Sequence, residues 1–384
     1  LAAAGCPSTI AIQLSWYPEA EYGGMYNIIG ANGDFDSGSG VYSGTVEGVK
    51  VEVKAGGPLT GNQQVTSQLY TADDSDTLNI GLLASDESIQ NSAKQPTKAV
   101  MNYFDKDPQV LVFDPATYDF KSIADIGKTD AKVLYFEGST YMDYLIGSGQ
   151  IKQSQVDGSY SGGPDTFIAD GGKDVQSGLI TSEPYKYENE YAQWKKAIGS
   201  LLVYDSGYHN YASELAMVPD QITKYSSCLK AFVPLAQKAT VDYMAGPTAI
   251  TDKIDEMNKE LNSTSQTDAG LDAAAVKMMA DKKLITNDAN GTLGNFDATR
   301  MQDMIDILQP IFAKQNKAIK DGLKRRTSTP TSSSTRASAC PSSSRTTLGG
   351  RSAHTGAQGL HRQGTHTLAT PPPSASAARN APPN

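Results

Sequence analysis

A chain of 384 residues with 39% hydrophobic content is long enough for two or three domain-sized units with real cores. No stretch approaches about eighteen consecutive apolar residues, which excludes a membrane-spanning helix. The net charge of −9 argues against nucleic acid as a partner, because phosphate binding needs basic surface.

Small residues ending in Gly5-Cys6 have the form of a lipobox at the end of a secretory signal. Cys6 would then be the lipidated first residue of the mature protein. With no basic segment and no full apolar segment ahead of it, the chain would start inside that signal, making residues 1–8 a signal remnant and linker. The alternative is an Ala-rich N-terminus with a chance cysteine. Cys228 and Cys340 lie far apart in unlike contexts. They support neither a disulfide framework nor a metal spacing, so no metal and no cofactor is expected.

Thr9 to Leu14 alternates enough to be a strand, and Tyr22 to Ile29 reads as the first turns of a helix. Between and beside them lie Trp16, Tyr17, Tyr22, the carboxylates Glu19 and Glu21, and the Gly23-Gly24 pair. In open α/β sheets, ligands bind at the carboxyl ends of strands. Aromatic faces there stack on a flat ligand, and carboxylates accept hydrogen bonds from amino or ring N–H groups. A surface turn covering the core edge explains the same residues equally well.

Val49 to Lys54 is a strand, Asn62 to Tyr70 a polar helix and Thr77 to Leu83 a further strand. Ser85 would cap the next helix or touch a ligand. Lys98 to Phe104 continues as strand into Pro108 to Phe113. This alternation predicts a mostly parallel sheet. The acidic segments Asp34–Asp36 and Asp288–Asn290 lack the glutamate that a calcium loop needs at its end, and read as turns.

Residues 105–205 repeat the alternation as a second unit. Ala131 to Phe136 is a strand, and Ser139, Thr140 and Tyr141 open a helix running to Ile146. Free N–H groups and hydroxyls there suit an anionic or carbonyl oxygen, or merely cap the helix. The loop Asp157–Gly163, with Ser161, is flexible enough to approach a ligand. Glu183, preceding Pro184, marks a strand-to-helix turn facing a cleft, or a carboxylate stabilised by the helix dipole. His209 is the only histidine before residue 325 and reads as a hydrogen-bonded structural residue.

From Pro219 the chain turns helical, with apolar residues at three- and four-residue spacing in Asp220–Met244, Thr251–Leu261, Ala269–Lys283 and Ala298–Ile319. After Lys324 there is no Lys, Asp, Glu, Ile, Val, Phe, Trp or Tyr, and seven of the eight arginines lie there. Such a composition buries no core and predicts disorder over residues 325–384.

Several of these stretches together resemble the solute-binding proteins of ABC importers for thiamine-pyrimidine precursors, relatives of the taurine, nitrate and riboflavin binders. Trp16, Pro18, Gly24 and Tyr26 match the family's opening W-x-P-N-x-x-H-x-G-x-Y, with Glu19 in place of Asn and Tyr22 in place of His. Gln176 to Tyr185 resembles Q-x-G-y-x-T-S-E-P-[FY]. Asp205 to Tyr211, with Tyr208, resembles the return crossing D-Y-G-Y-N-P-Y. Ser139 and Thr140 fall at the family's Gly-Ser-Pro-Tyr turn. Residues 325–336 can be back-translated so that a neighbouring frame encodes a peptide like the family's C-terminus, which makes the tail frameshifted; a natural Ser/Thr/Pro-rich tail is the rival.

The resemblance covers about residues 10 to 324 and implies an α/β, two-lobe type II periplasmic-binding-protein fold with C-terminal helices packed back on the first lobe. Lobe I would be 9–104 plus 206–324, and lobe II 105–205, with crossings near 104 and 205. The implied function is capture of a small solute outside the cell by hinge closure and delivery to an ABC permease, by a monomer lipid-anchored to the outer face of the cytoplasmic membrane. Trp16 and Tyr17 would stack and Glu19 and Glu21 accept N–H groups. Tyr22, Ser85, Tyr141, Ser161 and Tyr208 would add ligand contacts, and Ser139, Thr140 and Glu183 close from the other lobe. Acidic and aromatic residues favour a nitrogen-containing heterocycle or a cation over sulfonate or nitrate. Alternatives are an enzyme on the same fold, related to pyrimidine-precursor synthases, and a surface lipoprotein that binds no solute.

Overall fold

The computed structural model describes residues 1–263, 265–317 and 319–324. The readings of residues 325–384 and of Cys340 lie outside the described residues. In chain order the strands are β1 Thr9–Gln13, β2 Asp34–Asp36, β3 Val41–Val46, β4 Val49–Lys54, β5 Thr77–Leu83, β6 Lys98–Asn102, β7 Gln109–Phe113, β8 Val133–Leu134, β9 Val156–Asp157, β10 Val175–Leu179, β11 Gly199–Leu202 and β12 Glu214–Met217. One sheet has the order β2-β3-β4-β1-β5-β12-β6, the other β11-β7-β10-β8-β9. The helices are α1 Gly23–Tyr26, α2 Val65–Thr71, α3 Ser85–Gln90, α4 Ile123–Ile126, α5 Thr140–Gly147, α6 Asp165–Ala169, α7 Glu183–Asn189, α8 Pro219–Lys224, α9 Ser226–Ala245, α10 Thr248–Leu261, α11 Ala269–Asp281 and α12 Ala298–Lys314.

β1 lies between β4 and β5 and is parallel to both. Helices cover such a strand on both faces, so β5 reads as a nearly unbroken buried run, Leu78 to Leu83. Towards the edge the pattern becomes one-sided, with alternate residues of β4 buried. Asp34–Asp36 is the edge strand, paired antiparallel with β3, not the turn expected. The sheets are mixed, not mostly parallel, because β12 runs antiparallel between β5 and β6 and β7 runs antiparallel to β10 and β11.

The chain passes from the first sheet to the second after β6 and returns after β11 to supply β12. The two larger apolar clusters centre on the two sheets, with Val110 and Val112 of β7 joining the first. The first gathers Ile10, Ile12, Val51, Leu78 and Ile80 with Phe232 and Ile254 from the C-terminal helices. The second gathers Leu111, Phe113, Val133 and Leu145 with Met304, Ile305, Leu308 and Phe312. The last helix, α12, therefore turns its apolar face to the second cluster, against the expectation that all the C-terminal helices pack on the first lobe.

The N-terminus is also corrected. Cys6 and Cys228 form a disulfide with their Cα atoms 4.7 Å apart. A sulfur bonded in this way has no valence left for a lipid thioether. The pairing of Cys6 with α9 was invisible in the spacing. Residues 1–8 are no free linker: Leu1 is 5% exposed within the first cluster, and the Ala2 amide donates to the Glu47 carbonyl at 3.1 Å.

Candidate functional site

The stretch after β1 is anchored from three sides. Asn258 Nδ2 donates to the Pro18 carbonyl at 2.7 Å, and Tyr243 Oη–H donates to the Ala20 carbonyl at 2.7 Å. The Gly24 amide donates to the Tyr103 hydroxyl at 3.1 Å. The glycine pair serves these approaches, since a Cβ on Gly23 would fall 2.0 Å from Tyr243 Cζ. Glu19 and Glu21 are thereby fixed between the two sheets.

The facing wall is the turn from β10 into α7. Glu183 folds back so that its Oε2 accepts from the Leu179 amide at 2.5 Å and from the Ser182 hydroxyl at 2.7 Å. Gly178 leaves room for this, because a Cβ there would lie 2.6 Å from Glu183 Cδ. Glu183 thus shapes the turn, which presents Thr181, Ser182 and Lys186.

The third wall comes from residues before and within α11. Ser265 donates to Glu19 Oε1 at 2.7 Å. Thr267 donates to Asp255 Oδ1 at 2.6 Å. Asp268 caps α11 by accepting from the Gly270 and Leu271 amides. Asp272, one turn on, is 2% exposed, and neither of its carboxylate oxygens meets a donor. Together the walls enclose a cavity of about 30 Å³ lined by Glu19, Glu21, Thr181, Ser182, Lys186 and Asp272, among others.

Burial raises the Glu19 carboxyl to about 8, with the Glu21 charge adding to the rise. Glu21 is raised as well, first by burial, against the pull of the Thr181 hydroxyl. Asp272 is raised to about 8 by burial and then by the charges of Asp255 and Glu21. Lys186 is the one cation among the cavity-lining residues, and it makes no ion pair with a described residue. Burial of this kind favours the neutral form of Glu19 and Asp272 until a positive group enters.

Of the expected contacts, Glu19 and Glu21 line the cavity and the others do not. Trp16 packs on the Gly56-Gly57 turn, where a Cβ on Gly57 would lie 2.7 Å from its Cε3, and edge-on to Tyr17, which is buried. The Tyr22 hydroxyl pairs with Ser15 Oγ at 2.8 Å. Ser139 Oγ donates to the Phe136 carbonyl, Thr140 begins α5, and Tyr141 donates to Ser177 Oγ. Ser161 is exposed in its loop.

Ser85 and Tyr208 instead meet where the chain crosses between the sheets. Ala84, not Ser85, occupies the cap position of α3. Ser85 Oγ donates to Asn210 Oδ1 at 2.6 Å, and Tyr208 donates to Asp86 Oδ2 at 2.7 Å. Asn210 Nδ2 in turn donates to Asp107 Oδ2 at 3.1 Å. Arg300 of α12 closes the cluster through the carbonyls of His209 and Asn210 and lies 3.6 Å over the Tyr211 ring. His209 itself is exposed and stacks near Tyr204.

Asp272, Ser265, Thr267 and Lys186 were missed. Asp272 carried a signal, since it shares the buried face of α11 with Ala275, Val276 and Met279. A charge on an apolar stripe is informative, because burying it without a partner costs on the order of several kcal/mol.

No protein-family model and no curated protein matches this chain. Among solved structures it is similar to the periplasmic aliphatic sulphonate-binding protein SsuA of Escherichia coli, with TM-score 0.52 and 11% identity over 83% of this chain and 94% of that one. It is also similar to the alkanesulfonate-binding protein SsuA of Xanthomonas axonopodis pv. citri bound to MOPS, with TM-score 0.49 and 8% identity over 82% and 96%. A third likeness is to the desulfurization enzyme DSZB, with TM-score 0.42 and 11% identity over 80% and 92%. At this identity the likeness to the Escherichia coli protein speaks for fold: the chain has the two-lobe α/β architecture of type II periplasmic binding proteins.

Proposed function

We propose that this protein is the extracytoplasmic solute-binding component of an ABC importer, capturing a small molecule by closing its two lobes and presenting it to a permease. The observation that carries this reading is the cavity whose walls come from both sheets, Glu19, Glu21 and Asp272 on one side and Thr181, Ser182 and Lys186 on the other. A ligand touching both sides favours the closed arrangement by its differential affinity for it. The Cys6–Cys228 disulfide supports an oxidising, extracytoplasmic location without a lipid on Cys6. The acidic lining supports a solute with nitrogen-borne hydrogens, such as a nitrogen heterocycle; a thiamine precursor or a riboflavin-like compound is the narrower form of this proposal. Catalysis is not part of it.

Mass spectrometry of small molecules released from the purified intact chain, followed by X-ray scattering with the released compound added back, tests this. A stoichiometric solute recovered chemically unchanged, and a smaller radius of gyration on its return, is the expected result. Recovery of a transformed compound would speak for an enzyme. Absence of any stoichiometric solute, with no compaction on adding fractions of the host's growth medium, would overturn solute capture.

A further inference from the structure

Three carboxyls and one lysine around a small cavity leave a charge pattern that a bound group must answer. Asp272 poses the question most sharply, because it is almost wholly buried, no donor reaches either oxygen, and the side chain within hydrogen-bond reach is another carboxyl, Asp255. Its nearest charged neighbours, Asp255 and Glu21, are both acids. Asp255 is already engaged by Thr267, and Glu19 by Ser265. A buried acceptor with no partner costs free energy that a donor from a ligand would recover.

Resting on the solute-capture reading, we infer that the cavity between Asp272, Glu19 and Glu21 is the head-group site for a small organic cation bearing N–H donors. A metal ion fits less well: no three described His, Cys, Asp or Glu side chains stand close enough to hold one. Metal–oxygen bonds are shorter than N–H···O contacts, so carboxyls spread around a cavity suit an ammonium, amidinium or guanidinium. The volume of about 30 Å³ matches one ammonium-sized group. The rest of the solute then extends from this cavity between the lobes. Lys186, on the facing wall, is placed to compensate a negative group elsewhere on the solute. A sulfonate head would find one cation there, Lys186, and would keep the three carboxyls protonated, whereas a cation lets them ionise.

The test is calorimetric titration of the intact chain with methylammonium, guanidinium and methanesulfonate at matched ionic strength, repeated on Asp272→Asn. Methylammonium or guanidinium should bind the wild type, and methanesulfonate should not. Asp272→Asn keeps the shape and removes the charge, so cation affinity should fall roughly ten- to hundredfold while the melting temperature holds or rises. Equal cation affinity in Asp272→Asn, or no cation binding to the wild type, overturns the head-group site. Selective methanesulfonate binding also overturns it while leaving solute capture intact, and solute capture is judged separately by the released-solute experiment.

Discussion

The Tyr185 hydroxyl occupies the space in which a side chain at residue 270 would begin: a Cβ on Gly270 would lie 2.0 Å from it. Tyr185 belongs to α7 and Gly270 to the first turn of α11, so the missing side chain lets the two walls of the cavity meet. Gly270→Val should wedge them apart. The expected outcome is an affinity for the released solute reduced by about tenfold or more, with a larger radius of gyration in its presence, while the separate lobes keep their circular dichroism. Unaltered affinity would show that Tyr185 swings away at no cost.

The disulfide joins the N-terminal segment to α9 across a sequence separation of 222 residues. Closing so long a loop restricts the unfolded chain, and the double variant Cys6→Ser, Cys228→Ser should lose about 2–4 kcal/mol in denaturant unfolding. Under reducing conditions the wild type should approach the same value. An unchanged midpoint in both cases would mean that the bond adds nothing to the packing of Leu1 and its neighbours.

Acid pH should stabilise this protein. Glu19 and Glu214 are raised from 4.5 to about 8 and Asp272 from 3.8 to about 8, in each case mainly by burial. Below the unfolded values both states are protonated and the contribution is fully present. Between about pH 4 and 8 only the unfolded chain ionises, so unfolding releases protons and stability falls as pH rises, levelling above the folded values. Like charges on Glu21, Glu183 and Asp255 work in the same direction, and Lys186 and Arg300 oppose it. Melting curves should therefore shift down from pH 5 to pH 8, and Asp272→Asn should flatten the slope. A rising melting temperature over that interval would contradict the assignment.

Arg300 links α12 to the chain where it crosses between the sheets. Its Nε donates to the His209 carbonyl at 2.6 Å and its Nη2 to the Asn210 carbonyl at 2.8 Å. Arg300→Ala should destabilise by about 1–3 kcal/mol, because these acceptors lose charged donors. Hydrogen exchange at residues 203–213 should rise selectively. Uniform exchange across both sheets would place the effect elsewhere.

The strands β4 and β5 were legible residue for residue, since Val49–Lys54 alternates and Thr77–Leu83 is a run of apolar residues broken only by Asn79 after its first residue. Both patterns follow from which faces of a strand a sheet buries. The helices from residue 219 onward were legible through their apolar spacing, though their ends shifted. The acidity near residue 20 was legible too, and Glu19 and Glu21 do line the cavity. The sequence could not show which way the neighbouring aromatics turn. Trp16 and Tyr22 lie within a few residues of Glu19, yet Trp16 packs on Gly57 and Tyr22 pairs with Ser15. Side-chain direction in a loop depends on contacts made by other segments, here α9 and α10. The same holds for Asp272, which joins Glu19 only because α11 folds back over the turn after β1. It holds again for Cys6, whose partner in α9 is brought near by packing that no local window contains. Local periodicity determined the elements, and long-range packing decided which of their polar groups share a cavity.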